Sequence, residues 1–209
     1  MGKLAVNRCA LDGRPRLPYV FAGPLRTIRL MLRSMTSEDV DDVYCYQSRE
    51  DVCRYLPFAP RTREEVAEKI AVYAAARTLD GDVWELAVER ASDAGRVIGD
   101  VYFTIDSVAN ATGEIGWTVH PEFAGQGYMT EAASAVLEVA FGALALHRVY
   151  ARLDPRNDAS LALCKRLGMR EEAHFVEDVW FKDAWGDTLI YAILDYERSP
   201  RPSETRRRC

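Results

Sequence analysis

The stretch His120-Pro-Glu-Phe-Ala-Gly-Gln-Gly-Tyr-Met-Thr-Glu-Ala-Ala133, "HPEFAGQGYMTEAA", decides how the rest of the chain is read. Gly125 and Gly127 bracket a single residue, which leaves three successive backbone N–H groups with little side chain in the way. Good helix formers follow at once, from Thr130 to Leu137, so those donors lie at the positive end of a helix. Such a place seats an anion, and phosphate is the natural occupant.

Two better-known glycine motifs do not fit. Thr130 stands where a dinucleotide fingerprint needs its third glycine, and no Gly-Lys-Ser/Thr ending makes a Walker loop. A plain tight turn between a strand and a helix is the remaining structural alternative.

Outward from the loop, strands and helices alternate. "DVWELAVER" (82–90), "GRVIGDVYFTID" (95–106) and "GEIGWTVH" (113–120) precede it as three strands with short turns, an antiparallel meander. A helix over 128–142 follows, then a strand at "HRVYARLD" (147–154) and a short helix opened by "NDAS" (157–160). Two closing strands, "MREEAHFVEDVWFK" (169–182) and "DTLIYAILDY" (187–196), complete the set.

Upstream, "TIRLMLRSM" (27–35) reads as a strand and "TSEDVDDVYCYQS" (36–48) as a helix capped by Thr36 or Ser37. "PRTREEVAEKIAVYAAAR" (60–77) is the clearest helix, with a Thr62/Glu65 capping box and an apolar stripe of Val66, Ile70, Tyr73 and Ala74. The order β-α-α-β-β-β-α-β-α-β-β predicts an α+β fold with one central, mostly antiparallel sheet.

With 209 residues, one domain is expected, and 48% apolar residues are enough for a sizeable core. No apolar run reaches transmembrane length and the first thirty residues lack a signal-peptide core, so a cytoplasmic protein with no membrane partner is expected. Five scattered cysteines without a C-x-x-C pair, and three histidines without ligand spacing, predict reduced thiols and no metal. Residues 1–25 read as an irregular arm, 26–197 as the domain and 198–209 as a disordered basic tail. Residues 30–197 hold 16 basic against 30 acidic residues, which suits a cationic partner such as an amine and argues against nucleic acid. Solubility alone accounts for an acidic body equally well. A homodimer is one arrangement left open.

"GWTVHPEFAGQGYMTEA" (116–132) followed by "HRVYARLDPRNDASLALCKRLGM" (147–169) resembles the two signature regions of the GCN5-related N-acetyltransferases. Residues 25–70 and "FKDAWGDTLIYAILDYE" (181–197) resemble the branch that contains the RimJ/RimL-type ribosomal-protein N-terminal acetyltransferases, and the likeness spans about residues 26–197. It implies a three-layer fold with a splayed sheet, acetyl-CoA as acetyl donor, and a primary amine as acceptor: a protein N-terminus, amino acid, polyamine or antibiotic. A non-catalytic acyl-CoA-binding module is the alternative.

The resemblance also implies roles. The loop Phe123, Ala124, Gly125, Gln126, Gly127, Tyr128, Met129 and Thr130 would hold the pyrophosphate, although Glu122 departs from the family's Arg or Gln there. Asn157 would contact the pantetheine arm, with Ser160 opening the short helix and Lys165 reaching toward the 3′-phosphate. Glu114 is the candidate base, sharing a strand face with Gly116 and Thr118, and the Val119 N–H would polarise the thioester carbonyl. Many relatives have a tyrosine acid where this chain has Cys164, so Cys164 acts as acid, or Ser160 or Tyr191 does, or none is needed. Trp84, Tyr102, Trp117 and Tyr191 would line the acceptor pocket, and "SREDVCRYLPFAP" (48–60) would cover it with Tyr55 and Phe58 as contacts.

Overall fold

The computed structural model describes residues 23–74, 83–93 and 95–198. Most of the expected arm and tail, and the end of the helix read over 60–77, lie outside the described residues. Eight strands form one sheet: β1 (Leu25–Arg26), β2 (Leu30–Ser34), β3 (Val83–Arg90), β4 (Val97–Ser107), β5 (Thr112–Val119), β6 (Arg148–Leu153), β7 (Arg170–Phe181) and β8 (Ala184–Leu194). The helices are α1 (Val40–Gln47), α2 (Glu50–Cys53), α3 (Arg63–Ala74), α4 (Tyr128–Phe141), α5 (Asp158–Arg166) and α6 (Asp195–Arg198).

The sheet order is β1-β2-β3-β4-β5-β6-β8-β7, and β5–β6 is its parallel pair. The expected α+β architecture with a mostly antiparallel sheet is therefore present, and the meander β3–β4–β5 sits at its centre. Beyond the expected elements come the two-residue β1 and the one-turn helices α2 and α6.

Both faces of the sheet are covered, so β3 is buried at six successive positions instead of alternating. On one face Trp84, Leu86, Val101, Phe103 and Ile115 pack under Ala132, Ala133, Val136 and Leu137 of α4. On the other, Ala87 and Val97 pack under Val40, Val43 and Tyr46 of α1 and Val66 and Ile70 of α3. Each buried leucine- or valine-sized side chain contributes about 1.5–3 kcal/mol.

Local signals explain the helix starts. The Thr62 N–H donates to Glu65 Oε2 at 2.8 Å and the Glu65 N–H to Thr62 Oγ1 at 3.2 Å, the reciprocal bonds of a capping box. At Thr36 the chain makes a 3₁₀ turn over Ser37–Asp39 before α1, a correction to a helix starting there directly. Asp39 causes it: its carboxylate accepts from the Thr36 N–H at 2.7 Å and binds both Arg33 Nη atoms at 2.7 Å, which pulls the turn tight against β2.

Candidate active site

Between β5 and α4 the chain makes a 3₁₀ turn at Pro121–Phe123, then the glycine loop. Gly125 has φ +74° and Gly127, the N-cap of the 14-residue α4, has φ +80°. A side chain with a Cβ is strained in that left-handed region, which is why glycine stands at both positions. No atom lies within 4 Å of a Cβ built on Gly125, and only Arg29 Nη2 approaches one on Gly127, at 3.5 Å. The loop is a bare shelf opening onto the first amides of α4. Phe123, Tyr128 and Met129 turn their side chains into the core, while Ala124, Gly125, Gln126 and Gly127 are exposed.

Glu122 removes a cation from the loop itself, and Arg29 brings one from the bend just before β2. Arg29 donates from Nη1 to the Gln126 carbonyl at 3.0 Å, pairs through Nε with Glu131 at 2.7 Å, and stacks 4.4 Å from the Tyr128 ring centroid. Glu122 pairs with Arg96 at 3.5 Å.

Beside the shelf the sheet opens. β5 and β6 pair only over Thr112–Glu114 and Arg148–Tyr150, and both strands then continue unpaired with each other. The His120 N–H donates to the Ile98 carbonyl at 2.9 Å, which fixes the ladder alternation. By that alternation the Val119 N–H points away from β4, toward the opening.

α5 starts at this opening. Asn157 caps it, its Oδ1 accepting from the Ser160 N–H at 3.1 Å, and Ser160 Oγ accepts from Trp117 Nε1 at 3.2 Å. Lys165 is exposed farther along α5, and Arg166 Nε donates to Thr130 Oγ1 at 3.3 Å, tying α5 to α4.

The opening leads into a cleft of about 910 Å³ bordered by the covering segment before α3, the β5–β6 gap and the β7–β8 hairpin. Tyr55, Phe58, Tyr102, Trp117, Glu114, Asn157 and Ser160 all line it. Lys182 of the hairpin donates to the Cys53 carbonyl at 2.5 Å, which pins the hairpin against α2. Glu114 Oε2 accepts from the Tyr150 hydroxyl at 3.1 Å, and Arg152 lies 3.6 Å from Oε1.

Three expected site residues are elsewhere. Trp84 is 3% exposed on the α4 face, tilted against Phe103 at 6.1 Å between centroids, because it is one residue out of phase with the cleft-facing Glu85. Tyr191 is buried and its hydroxyl donates to Glu171 at 3.0 Å across the β7–β8 pair. Cys164 is fully buried in the α4-side core and burial pushes its thiol up to about 12, which corrects its place among candidate acids.

The cleft floor holds a group that the sequence reading did not single out. Glu85 and Asp100 are 8% and 3% exposed, and Lys69 Nζ sits 2.5 Å from Glu85 Oε1. Asp100 Oδ2 accepts from the Tyr46 hydroxyl at 2.6 Å and from Gln47 Nε2 at 3.1 Å. Burial, then the charge of Asp100, pushes Glu85 up to about 7 against the opposing pull of Lys69. The available signal was a lone acid in each of two apolar runs, "WELAV" and "IGDVYF".

Among the described residues no three His, Cys, Asp or Glu gather as metal ligands, and no helix is long and apolar enough to cross a membrane.

Comparison with known proteins converges on one family. Residues 29–170 match the family model described as an acetyltransferase (GNAT) domain. The chain is 33% identical over 173 residues to YnaD of Bacillus subtilis (strain 168), an uncharacterized N-acetyltransferase, covering 83% of this chain and 98% of the relative. It superposes with a TM-score of 0.75 on a GNAT-family acetyltransferase from Bacillus anthracis, at 28% identity and covering 82% and 98% of the two chains. The fold also matches RimL, a ribosomal L7/L12 α-N-protein acetyltransferase solved with coenzyme A, with a TM-score of 0.71 at 17% identity over 82% of this chain and 97% of that one. The chain belongs to the GNAT superfamily of N-acetyltransferases and resembles its RimJ/RimL-type branch.

Proposed function

We propose that this enzyme transfers an acetyl group from acetyl-CoA to a primary amine, with both held at once across the β5–β6 opening. The observation that carries the reading is the bare left-handed glycine pair at the head of α4, placed beside an opened sheet that leads to a cleft. A pyrophosphate fits that shelf because its oxygens can approach amides over Gly125–Thr130 that no Cβ shields. RimL, which shares the fold, was solved with coenzyme A, and the microcin self-immunity acetyltransferase MccE with acetyl-CoA.

The loop backbone from Phe123 to Thr130 would hold the pyrophosphate, with Arg29 as the nearby cation and Lys165 toward the 3′-phosphate. Asn157 and Ser160 would border the pantetheine arm at the mouth of the opening. Bound there, acetyl-CoA supplies a thioester carbonyl activated toward amines. The Val119 N–H polarises that carbonyl as negative charge builds on its oxygen. Ser160 accepts from Trp117, which leaves its own O–H free to serve the departing sulfur, a role that buried Cys164 and Tyr191 are badly placed to fill. Glu114 attracts the acceptor's ammonium into the cleft, where Tyr55, Phe58, Tyr102 and Trp117 surround it.

A screen of N-terminal peptides, amino acids, polyamines and aminoglycosides with acetyl-CoA tests this, read by free thiol and by an acetyl mass gain on the amine. Turnover with at least one amine is expected. Tight coenzyme binding without turnover across the panel would favour an acyl-CoA-binding module instead.

A further inference from the structure

We propose that Glu85, on the floor of the cleft, receives the proton that the acceptor's ammonium must lose, and that Glu114 at the cleft's edge does not. The inference rests on the acetyltransfer reading above and names the residue that reading needs.

Strand register sets the geometry. Glu85, Tyr102 and Gly116 form one cross-strand row, Ala87, Asp100 and Thr118 the next, and Val83, Thr104 and Glu114 the row on the other side. All three carboxylates thus face the α1/α3 side of the sheet. Asp100 stands opposite Thr118, directly before the Val119 amide. Backbone to backbone, Glu114 lies five residues from that amide, roughly 16 Å at about 3.3 Å per residue, and Glu85 three residues along and two strands across, roughly 14 Å. Gly116 leaves the middle row without a side chain on β5, and a Cβ there would touch only Tyr102, at 3.5 Å. Tyr102 stands between Gly116 and Glu85 in that row, and Glu85 itself lines the cleft.

The partners divide the work between the two acids. Asp100 has two donors, Tyr46 and Gln47, that suit an anion. Glu85 has Lys69 on one oxygen and shares its remaining environment with the Asp100 charge. The titratable and charged groups around Glu85 are Lys69 and Tyr73 of α3, Asp100 and Tyr102 of β4, Tyr46 of α1 and Arg61 at the cleft wall. One ammonium between two enclosed carboxylates leaves room for one further proton. Glu114 also has a cation beside it, Arg152, and the Tyr150 hydroxyl as donor; what sets Glu85 apart is the enclosed Asp100 carboxylate next to it.

An N–H bond of the ammonium breaks and the proton goes to a Glu85 carboxylate oxygen. The freed lone pair forms the C–N bond to the acyl carbon, the C–S bond breaks with its electrons on sulfur, and a second amine proton passes by way of Ser160 to that sulfur. Glu85 then releases its proton to solvent, one per acetyl group transferred. A proton acceptor that titrates near the working pH suits this exchange best.

The test compares wild type, Glu85→Gln, Asp100→Asn and Glu114→Gln with an amine that the wild type acetylates, at saturating acetyl-CoA from about pH 5 to pH 9. Wild-type kcat/KM for the amine should rise with pH through a midpoint of about 7, the free-enzyme value. Glu85→Gln should lose that limb and on the order of 100-fold in kcat, with acetyl-CoA affinity unchanged. Asp100→Asn should move the limb to lower pH because the like charge is gone, and it reads the same point should Glu85→Gln fail to fold. Glu114→Gln should raise the KM for the amine and keep the limb. In the unliganded protein, a ¹³C-carboxylate titration assigned through Glu85→Gln should show a midpoint near neutrality. Retention of the limb and of about half the kcat in Glu85→Gln overturns the proposal, as does a Glu85 titration in the ordinary carboxylate range. A wild type silent with every amine overturns the acetyltransfer reading itself, and the proton acceptor with it.

Discussion

The glycine shelf and the cleft floor are built by opposite means. The shelf is a few consecutive residues whose conformation is local: two glycines at φ +74° and +80°, and a helix that starts at once. Its working atoms are backbone amides. The floor is made of side chains from Tyr46 and Gln47 of α1, Lys69 of α3, Glu85 of β3 and Asp100 of β4, which meet only because the sheet and helices pack. A shelf of that kind binds by shape, and a floor of that kind binds by charge and proton affinity. Damage to the two regions should therefore show up in different measurements.

The largest effect expected is at the shelf. Gly127→Val places a β-branched residue at a strongly disfavoured positive φ and should weaken coenzyme A binding by on the order of 100-fold, read by calorimetry. The melting temperature should fall by only a few degrees, from the strain of a left-handed backbone, because no neighbouring atom crowds the added side chain closely.

At the floor the pattern reverses. Tyr46→Phe removes a 2.6 Å donor from the buried Asp100 carboxylate and should cost about 1.5–3 kcal/mol in denaturant melts, while coenzyme affinity stays put. Equal loss in both measurements would erase the distinction between the regions.

The floor also has a pH signature. Folding raises Glu85 above its ordinary value, so the folded state binds the extra proton. Its contribution to stability is complete at low pH and is lost as pH rises toward about 7. Asp39 works the other way: burial raises its carboxyl, but the Arg33 and Thr36 hydrogen bonds outweigh burial and lower it, so its contribution disappears as pH falls through the folded value. Comparing wild type with Glu85→Gln in thermal melts should show the wild type losing about 2–3 kcal/mol relative to the variant between about pH 5 and pH 8.

The smallest effect belongs where the two regions meet. Asn157→Ala removes the cap of α5 and should cost about 1 kcal/mol of stability, with a modest loss of coenzyme affinity.

This contrast also explains what the sequence made legible. The loop, the capping box at Thr62, the meander and the helix after the glycines are written in neighbouring residues, and the structure has them. Glu114 reaches the cleft on the strand face it shares with Gly116 and Thr118, whereas Trp117, on the opposite face of β5, lines it beside Ser160 of α5. Trp84 lies on the α4 face and not in the cleft, since nothing in "VWEL" says which face α4 covers; only the β3–β4–β5 register does. Arg29 is 97 residues from the carbonyl it braces, and Lys69 is 16 from its carboxylate on a different element. Pairings across that much chain have no local pattern to betray them.

The measurement that bears most directly on the account is a crystal structure of this protein with coenzyme A. The diphosphate should lie within hydrogen-bonding distance of amides between Gly125 and Thr130, with the thiol entering the gap between β5 and β6. A diphosphate bound away from α4, or a thiol on the outer side of the sheet, would contradict it.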